Sequence, residues 1–200
     1  MSKGAAVLSC HSERGWSTPN ICGRVLLAAL ALSLQGHAAA QSPIRSVNVT
    51  YDGTTYVGDA VMHAPVPPAV AWEVLTDFEH MAQWVPNVRS SQVLKREGNA
   101  VTVEQQGHVR FGALGFPYTT RRRIEMSHPV TVRSTQVEGS LRRFESLMTL
   151  EPDEKGTRLT YHLELVPGLA AGAVMSKALL EHELAEQFGA IIGEMTRRAR

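Results

Sequence analysis

The residues best suited to acid–base chemistry lie close together between two tryptophans. Asp77, Glu79 and His80 all fall within the stretch from Trp72 to Trp84. General acid–base catalysis needs a titratable pair within hydrogen-bonding reach, with at least one shifted pKa. The cluster could be such a catalytic site, or it could belong to the frame around a cavity.

Apolar spacing in the same segment favours the frame. The apolar side chains fall on one side of two short helices, whereas Glu79 and His80 fall mainly on the solvent side. Asp77 stands just before the second helix, where its carboxylate can cap free backbone N–H groups. We therefore predict a helix cap, a solvated face and an apolar plug. The plug residues are Trp72, Leu75, Phe78, Trp84 and Val85.

The remaining histidines form no catalytic or metal motif. The segment HELAE, from His182 to Glu186, lacks the second histidine of the H-E-x-x-H zinc motif. The sequence also lacks a G-x-S-x-G nucleophile motif and a glycine-rich phosphate loop. We therefore assign no catalytic residue, no metal ligand and no cofactor.

Arg121, Arg122 and Arg123 stand side by side in a segment that alternates like a strand. Alternation directs Arg122 inward with Ile124, and it directs Arg121 and Arg123 to solvent. An inward arginine needs a partner, because an unpaired buried charge is strongly unfavourable.

Two environments for Arg122 are consistent with the sequence. In the first, it lies near the open end of the sheet, extends to water and pairs with Glu138. In the second, it belongs to the polar end of an apolar pocket and orients a ligand carbonyl, phenol or carboxylate. The other residues of that polar end are Gln105, Gln136 and Tyr161.

Period-two alternation predicts a series of strands. Residues alternate on both sides of Asp52-Gly53, which favours a tight hairpin turn, and a first strand follows at 56–64. Pro67 and Pro68 can begin a helix, and Pro86 ends the second of two short helices. The helices are predicted at 69–75 and 78–84, and six further strands at 88–95, 100–109, 118–127, 131–138, 144–151 and 157–166.

The period changes near the C-terminus, where residues 173–200 predict one long amphipathic helix. Basic residues in its last turn suit the negative end of the helix dipole, and a lipid-headgroup patch is the alternative. One sheet and one long helix predict an α+β fold in which the sheet curls around the helix. The apolar positions are Val174, Ala178, Leu184, Phe188, Ile191 and Met195; the polar face carries Lys177, Glu181, Glu186, Glu194 and Arg198; the basic tip is Arg197, Arg198 and Arg200.

The first 40 residues read as a secretory signal peptide. Residues 25–34 are apolar and uncharged, Arg24 precedes them, and Ala38 and Ala40 form an A-x-A cleavage signal. We therefore expect residues 41–200 to be one domain, exported across the inner membrane to the periplasm.

The composition of the mature chain excludes several functions. Cys10 and Cys22 lie in the leader, so no disulfide, thiolate metal site or cysteine nucleophile is expected. The whole chain has 20 basic and 19 acidic residues; the leader holds three of the basic and one of the acidic, which leaves 17 and 18. This balance argues against nucleic acid as a partner.

Four segments resemble the SRPBCC superfamily, in particular its polyketide cyclase/dehydrase-type members related to coenzyme Q-binding proteins. The resemblance implies a START-like helix-grip fold, with a deep apolar cavity between a curved sheet and the C-terminal helix. It also implies binding of lipids, quinones, sterols or polyketides, and only some members catalyse a reaction. The segments are AVAWEVLTDFEHMAQWVPNVRSSQVL, VTVEQQG, RRFESLMTLEP and GTRLTYHLEL.

Alternation also identifies the wall of the expected cavity: the inward residues are Phe144, Ser146, Met148 and Leu150 on one strand and Leu159, Tyr161, Leu163 and Leu165 on the last strand. The loop FGALGFPY, from Phe111 to Tyr118, places Leu114 and Phe116 on a flexible connection, either a mobile flap over the cavity or an ordinary loop. The candidate ligand-binding residues are Gln105, Phe116, Arg122, Gln136, Phe144, Met148, Tyr161 and Phe188.

We expect the protein to bind a hydrophobic or amphipathic small molecule, such as a lipid, a quinone or a polyketide-like compound. A transient membrane contact remains open, and the sequence does not define an oligomeric state. An aromatase/cyclase or dehydratase with Arg122 and Tyr161 polarising carbonyl groups is one alternative. An interaction scaffold that has lost its pocket is the other.

Overall fold

The computed structural model describes residues 42–111 and 114–200. The predicted signal peptide, both cysteines and residues 112–113 of the FGALGFPY segment lie outside the described residues, as do the side chains of Phe111 and Leu114. The prediction of a loop across this segment is wrong at both ends, because one strand runs to Phe111 and the next begins at Leu114, so Phe116 lies in a strand.

One antiparallel sheet of eight strands forms the body of this part of the chain. The strand order is β1-β2-β8-β7-β6-β5-β4-β3, so β1 and β3 are the two edges. Its strands are β1 (Ile44–Tyr51), β2 (Tyr56–Ala64), β3 (Val88–Glu97), β4 (Ala100–Phe111), β5 (Leu114–Ser127), β6 (Thr131–Gly139), β7 (Leu141–Asp153) and β8 (Gly156–Pro167). The α+β prediction and all seven predicted strands are confirmed.

The strand before the Asp52-Gly53 turn is an addition to the prediction. The two short helices therefore follow the second strand, whereas we expected them after the first. Asp52 Oδ1 accepts hydrogen bonds from the backbone N–H groups of Thr54 and Thr55, each at 2.8 Å. Gly53 has φ of 99°, a backbone conformation that glycine adopts without strain.

Two short helices carry the chain from β2 to β3, which lies at the opposite edge of the sheet. The first, α1, is Pro68–Thr76, and a 3₁₀ helix follows at Phe78–Gln83. Leu75, Phe78 and Val85 are buried, whereas Glu79 and His80 are exposed. The predicted plug is confirmed, although its second helix is 3₁₀ and not α.

The C-terminal helix begins later than we predicted. A short helix, α2 (Leu169–Gly172), precedes the long helix α3 (Lys177–Arg198). Ser176 starts α3, because its Oγ accepts a hydrogen bond from the N–H of Leu179 at 3.1 Å. Val174 therefore lies before the helix, and Ala178 is exposed. None of the described helices combines the length and apolar composition needed to cross a membrane.

Helix α3 packs across the concave face of the sheet. Leu184, Phe188 and Met195 are buried in the main apolar cluster, which also includes side chains of α1, β2, β7 and β8. A second cluster joins Phe78 of the plug to Ile124 of β5. The two clusters support the helix and the plug, and they position the inward face of β5 between them.

An ion-pair network fastens the end of α3 to the plug and corrects two predictions. Asp77 makes no cap; its carboxylate accepts from Arg198 Nη2 and from His80 Nδ1, each at 2.6 Å. Glu194, expected on the polar face, is buried between Arg197 and Arg198 at 2.6 to 2.7 Å. The basic tip is thus largely neutralised within the protein.

We predict that Glu194→Gln lowers the free energy of unfolding by about 2 kcal/mol at pH 7. The two arginines lower the pKa of Glu194 from 4.5 to about 2. A carboxylate with a depressed folded-state pKa stabilises the protein fully above the unfolded-state pKa, and the contribution is lost as the pH falls toward 2. We expect a smaller loss of stability than the full pKa shift would give, because Arg197 is itself 70% exposed to water, which screens its charge.

Urea unfolding of both proteins between neutral and acidic pH tests this prediction. The difference between them should shrink as the pH falls below 4.5. Glu186→Gln, an exposed position on the same helix, is the control and should change stability little. A difference that stays constant with pH would contradict the assigned role of Glu194.

Candidate functional site

A cavity of about 270 Å³ lies between the concave face of the sheet and α3. The plug closes one end. At the other end lie the β6–β7 connection and the segment between α2 and α3, as the strand register requires. We call this second end the mouth. Apolar side chains make up most of the wall: Leu75, Phe78, Met81, Val85, Val88, Val109, Phe116, Ile124, Val132, Leu141, Phe144, Met148, Leu163, Leu165, Met175, Leu179, Leu180, Leu184, Phe188 and Ile191.

Hydrogen bonds tie both sides of the sheet to α3. On the β1 side, the N–H of Val49 donates to Glu181 Oε1 at 3.2 Å. On the β4 side, Asn87 Nδ2 donates to Glu183 Oε2 at 2.7 Å, and Gln187 Nε2 donates to Asn87 Oδ1 at 3.1 Å. The N–H of Arg110 donates to the other oxygen of Glu183 at 3.4 Å. These contacts hold the helix over the cavity.

Gly107 permits the close packing of this wall near the mouth. A Cβ at that position would lie 2.0 Å from the carbonyl oxygen of Asn87 and 2.6 Å from the Tyr118 ring. Only glycine allows the Asn87 backbone and the tyrosine to approach β4 so closely.

Arg122 is the cationic group of the cavity wall. It lies on β5, and Nη2 donates to Oε1 of Gln105 on β4. Gln105 is held in turn by its Nε2, which donates to Ser91 Oγ at 3.0 Å. The guanidinium carbon is 5.6 Å from the centre of the Phe144 ring, within cation–π range. Burial lowers the pKa of Arg122, and the phenols of Tyr161 and Tyr118 offset part of that shift.

The expected ion pair between Arg122 and Glu138 is wrong. Arg121 pairs with Glu138 across the strands, whereas Arg122 pairs with Gln136, so Val137 is an extra residue in β6. This bulge reverses the alternation of inward and outward side chains, so Glu138 lies on the outer face. There its Oε2 is 2.6 Å from Nη1 of Arg121. In the described chain, Arg122 has no carboxylate within ion-pair distance.

Polar side chains cross the concave face next to Arg122. Ser134 on β6 pairs directly with Ser146 on β7, and both are buried. Tyr161 on β8 lies opposite Met148, which is two residues beyond Ser146 on β7 and on the same face. We call Gln105, Arg122, Ser134, Ser146 and Tyr161 the polar band, since the five residues lie on five successive strands of the sheet and line one cavity.

Two atoms of the polar band are buried without a hydrogen-bond partner in the described structure. They are Nε of Arg122 and Oγ of Ser134. Buried polar atoms are nearly always paired in folded proteins. Both residues line the cavity, where a bound molecule could supply the missing partners.

Burial raises the pKa values of both cavity tyrosines. The pKa of Tyr118 rises to about 12, although the positive charge of Arg122 opposes the rise. The pKa of Tyr161 also rises, and its hydrogen bond with Ser146 and the charge of Arg122 limit the change. Both phenols are therefore neutral hydrogen-bonding groups at physiological pH.

All eight predicted ligand-binding residues line the cavity. Phe188 packs edge-on against Tyr161, with ring centres 4.9 Å apart. Gln136 lines the wall but is engaged by the fold, since its Nε2 donates to the carbonyl of Leu141 at 2.8 Å and its Oε1 accepts from Thr120. Their role in binding stays a prediction.

The predicted eight leave out many other residues of the wall, among them Ser134, Ser146, Asn87 and Glu183. Strand alternation places Ser134 and Ser146 on inward faces, although they were not among the eight ligand-binding candidates. Asn87 and Glu183 could not be found from a local pattern, because 96 positions separate them in sequence. Among the described residues, no cluster of three or more His, Cys, Asp or Glu could hold a metal ion.

Residues 64–187 match the sequence model of the family described as polyketide cyclase / dehydrase and lipid transport. No curated protein sequence matches the chain. The family match spans the plug, β3 to β8 and the first half of α3.

Several solved structures share the fold. The protein TTHA0849 from Thermus thermophilus is 18% identical, with a TM-score of 0.63 over 71% of this chain and 98% of that one. The Zhui aromatase/cyclase from Streptomyces sp. R1128 is 17% identical, with a TM-score of 0.59 over 73% and 96%. A STAR-related lipid transfer protein from Xanthomonas axonopodis is 18% identical, with a TM-score of 0.59 over 78% and 94%.

We predict that the Tyr118 phenolate forms only near pH 12, because burial opposes its charge. Phenolate absorbance, recorded by rapid mixing before the protein unfolds, should contain a component at this pH that Tyr118→Phe removes. Arg122→Met should move that component to still higher pH, since it removes the charge that favours the phenolate. Tyr51→Phe, at an exposed position, should leave it unchanged. A Tyr118 component at the ordinary pKa of 10 would contradict the buried geometry.

Proposed function

The chain belongs to the polyketide cyclase/dehydrase and lipid-transport family, and from this premise we propose that it binds an amphipathic small molecule in the cavity. The apolar body of the ligand lies between the sheet and α3, and its polar head lies against the polar band. The cavity itself supports this proposal: most of its wall is apolar, and Arg122 and Ser134 of the polar band each have a buried polar atom without a partner in the described chain.

The arrangement matches what small-molecule sites generally require. Such sites are mostly apolar, and a few placed polar groups orient the ligand. Phe144, Met148 and Phe188 supply apolar surface, and Arg122 supplies donors whose direction is fixed by Gln105. A single polar region in an apolar cavity binds one end of a molecule and so sets its orientation.

A cyclase or dehydratase is the second candidate, and one observation favours it. Arg122 and Tyr161 lie in the same cavity, where both could donate hydrogen bonds to a carbonyl that gains negative charge. The aromatase/cyclase among the similar structures is compatible with this reading. No histidine is present among the described residues that line the cavity, so a proton-transfer group is harder to assign.

The interaction scaffold is the least supported alternative. A scaffold that had lost its pocket would fill the space between sheet and helix with side chains, as a normal core does. The open cavity counts against that reading.

Export to the periplasm is part of the proposal. It is supported by the apolar segment 25–34 and the A-x-A signal that follows it. A periplasmic protein with such a cavity would carry or sequester a poorly soluble molecule in an aqueous compartment.

Native mass spectrometry of protein purified from its own host tests the binding function. We expect a bound mass that is released on denaturation. Ser146→Phe places an aromatic ring in the cavity and should yield empty protein. Leu147→Phe, the next residue on the same strand but on the opposite face, should retain the ligand.

The melting temperature and circular dichroism of both variants check that the fold is preserved. An apolar fluorescent dye provides a second measurement: once any bound ligand has been stripped, the dye should enter the wild type and Leu147→Phe but not Ser146→Phe. Wild-type protein that is empty, and that takes up the dye no better than Ser146→Phe does, would exclude the binding function.

A further inference from the structure

Within the proposed function, we infer that the ligand is a carboxylic acid and that its carboxylate binds against Arg122 and Ser134. Hydrophobicity alone would not distinguish an acid from an alcohol, a ketone or an ester. The distinction comes from the charges and unpartnered atoms at the polar band.

The three consecutive arginines differ in how their charges are balanced. Arg121 forms ion pairs with Glu104 at 2.7 Å and Glu138 at 2.6 Å. Arg123 forms them with Glu97 at 3.4 Å and Glu125 at 3.2 Å. Both lie on the solvent side of β5, where water already screens them. Arg122 lies in the cavity wall, where an unbalanced charge is most costly, and it has no carboxylate partner among the described residues.

Neighbouring acidic groups do not supply the missing negative charge. Tyr118 and Tyr161 are neutral at physiological pH, because burial raises the pKa of each phenol. Glu183 is a carboxylate that lines the cavity, but it forms no ion pair with Arg122 in the described chain, and its oxygens accept hydrogen bonds from Asn87 and from the backbone of Arg110. A guanidinium keeps its proton throughout the physiological range, so a bound anion can supply the balancing charge that Arg122 lacks.

Unpartnered atoms at the polar band match the needs of a carboxylate. Nε of Arg122 is a donor without an acceptor, and the hydroxyl of Ser134, only 5% exposed, lacks any partner in the described chain. Ser134 pairs with Ile124, two residues beyond Arg122 on the same inward face. A carboxylate has two oxygens and accepts several hydrogen bonds, so it can satisfy both groups while it neutralises the charge. An alcohol or ester can accept hydrogen bonds but brings no charge.

Gln105 and Phe144 prepare the guanidinium for this role. The amide oxygen of Gln105 occupies one Nη2–H, and the ring of Phe144 lies against the guanidinium carbon. Neither contact reaches Nε, which has no acceptor in the described chain. The fold therefore orients the arginine without neutralising it, as a receptor for an anion requires.

Matched ligands that differ only in the head group test the inference. Lauric acid is compared with lauryl alcohol and methyl laurate, and naphthoic acid with naphthalenemethanol, by isothermal titration of ligand-stripped protein. We expect the wild type to bind each acid about tenfold to hundredfold more tightly than its neutral counterpart, the effect of charge-assisted hydrogen bonds. Two different apolar bodies are used because the shape of the natural ligand is not fixed by the head group.

Four variants test whether Arg122 and Ser134 cause the preference for acids. Arg122→Met should remove the preference by weakening the binding of the acids alone. Arg122→Lys keeps the positive charge and should retain part of the preference. Arg121→Met, the neighbouring arginine on the outer face, should leave it unchanged. Ser134→Ala should lower the affinity for the acids severalfold. The comparison within the wild type decides the matter even if Arg122→Met fails to fold.

Each outcome has a defined meaning. Equal affinity of the wild type for the acids and their neutral counterparts overturns the inference and leaves the binding function standing. Preference for the acids that persists in Arg122→Met also overturns it, since a group other than Arg122 would then bind the carboxylate. Failure of every compound of both kinds to bind overturns the binding function together with the inference.

Discussion

A single helix cannot fill the concave face of an eight-stranded sheet, and the rest of the structure follows from this mismatch. Strands lie about 4.8 Å apart, so eight of them extend roughly 34 Å, whereas a helix with its side chains is about 10 Å wide. The chain reduces the gap by curling the sheet and by tying β1 and β4 to α3 through Glu181 and Glu183. The plug closes one end and is fastened to α3 by Asp77 and Arg198. The space that remains is the cavity.

The inward charge of Arg122 is the main departure from a simple apolar lining. A leucine or methionine at this position would pack in the cavity without any desolvation cost. The protein instead keeps a guanidinium there, and among the described residues its partners are the neutral amide of Gln105 and the ring of Phe144. Local violations of the rules for a stable core are expected at functional sites. The position of Arg122 thus links the energetics of the fold to the binding site.

Local sequence patterns predicted the strands, the plug and the inward faces, because alternation and proline act over a few residues. The faces of β7 and β8, and the inward direction of Arg122, followed from period two alone. The partner of Arg122 did not, because one extra residue at Val137 reverses the face of Glu138, and nothing local marks that bulge. Asp77 was taken for a cap because its partner, Arg198, lies 121 residues away. The start of α3 was placed too early because apolar spacing continues through residues that are not helical.

The same polar band could serve a carrier or a catalyst, and proton transfer separates the two. A cyclase must remove and deliver protons, which requires a group that changes its protonation state near neutral pH. Among the described wall residues, Tyr118 and Tyr161 are shifted away from neutrality, and Arg122 stays charged. Glu183 is the carboxylate in this wall, and hydrogen bonds from Asn87 and the Arg110 backbone occupy both of its oxygens. These contacts join α3 to the chain before β3 and to β4, so Glu183 has a structural role in this wall. Holding a ligand requires no proton transfer, and an apolar wall with one oriented cationic donor already supplies the groups that binding needs.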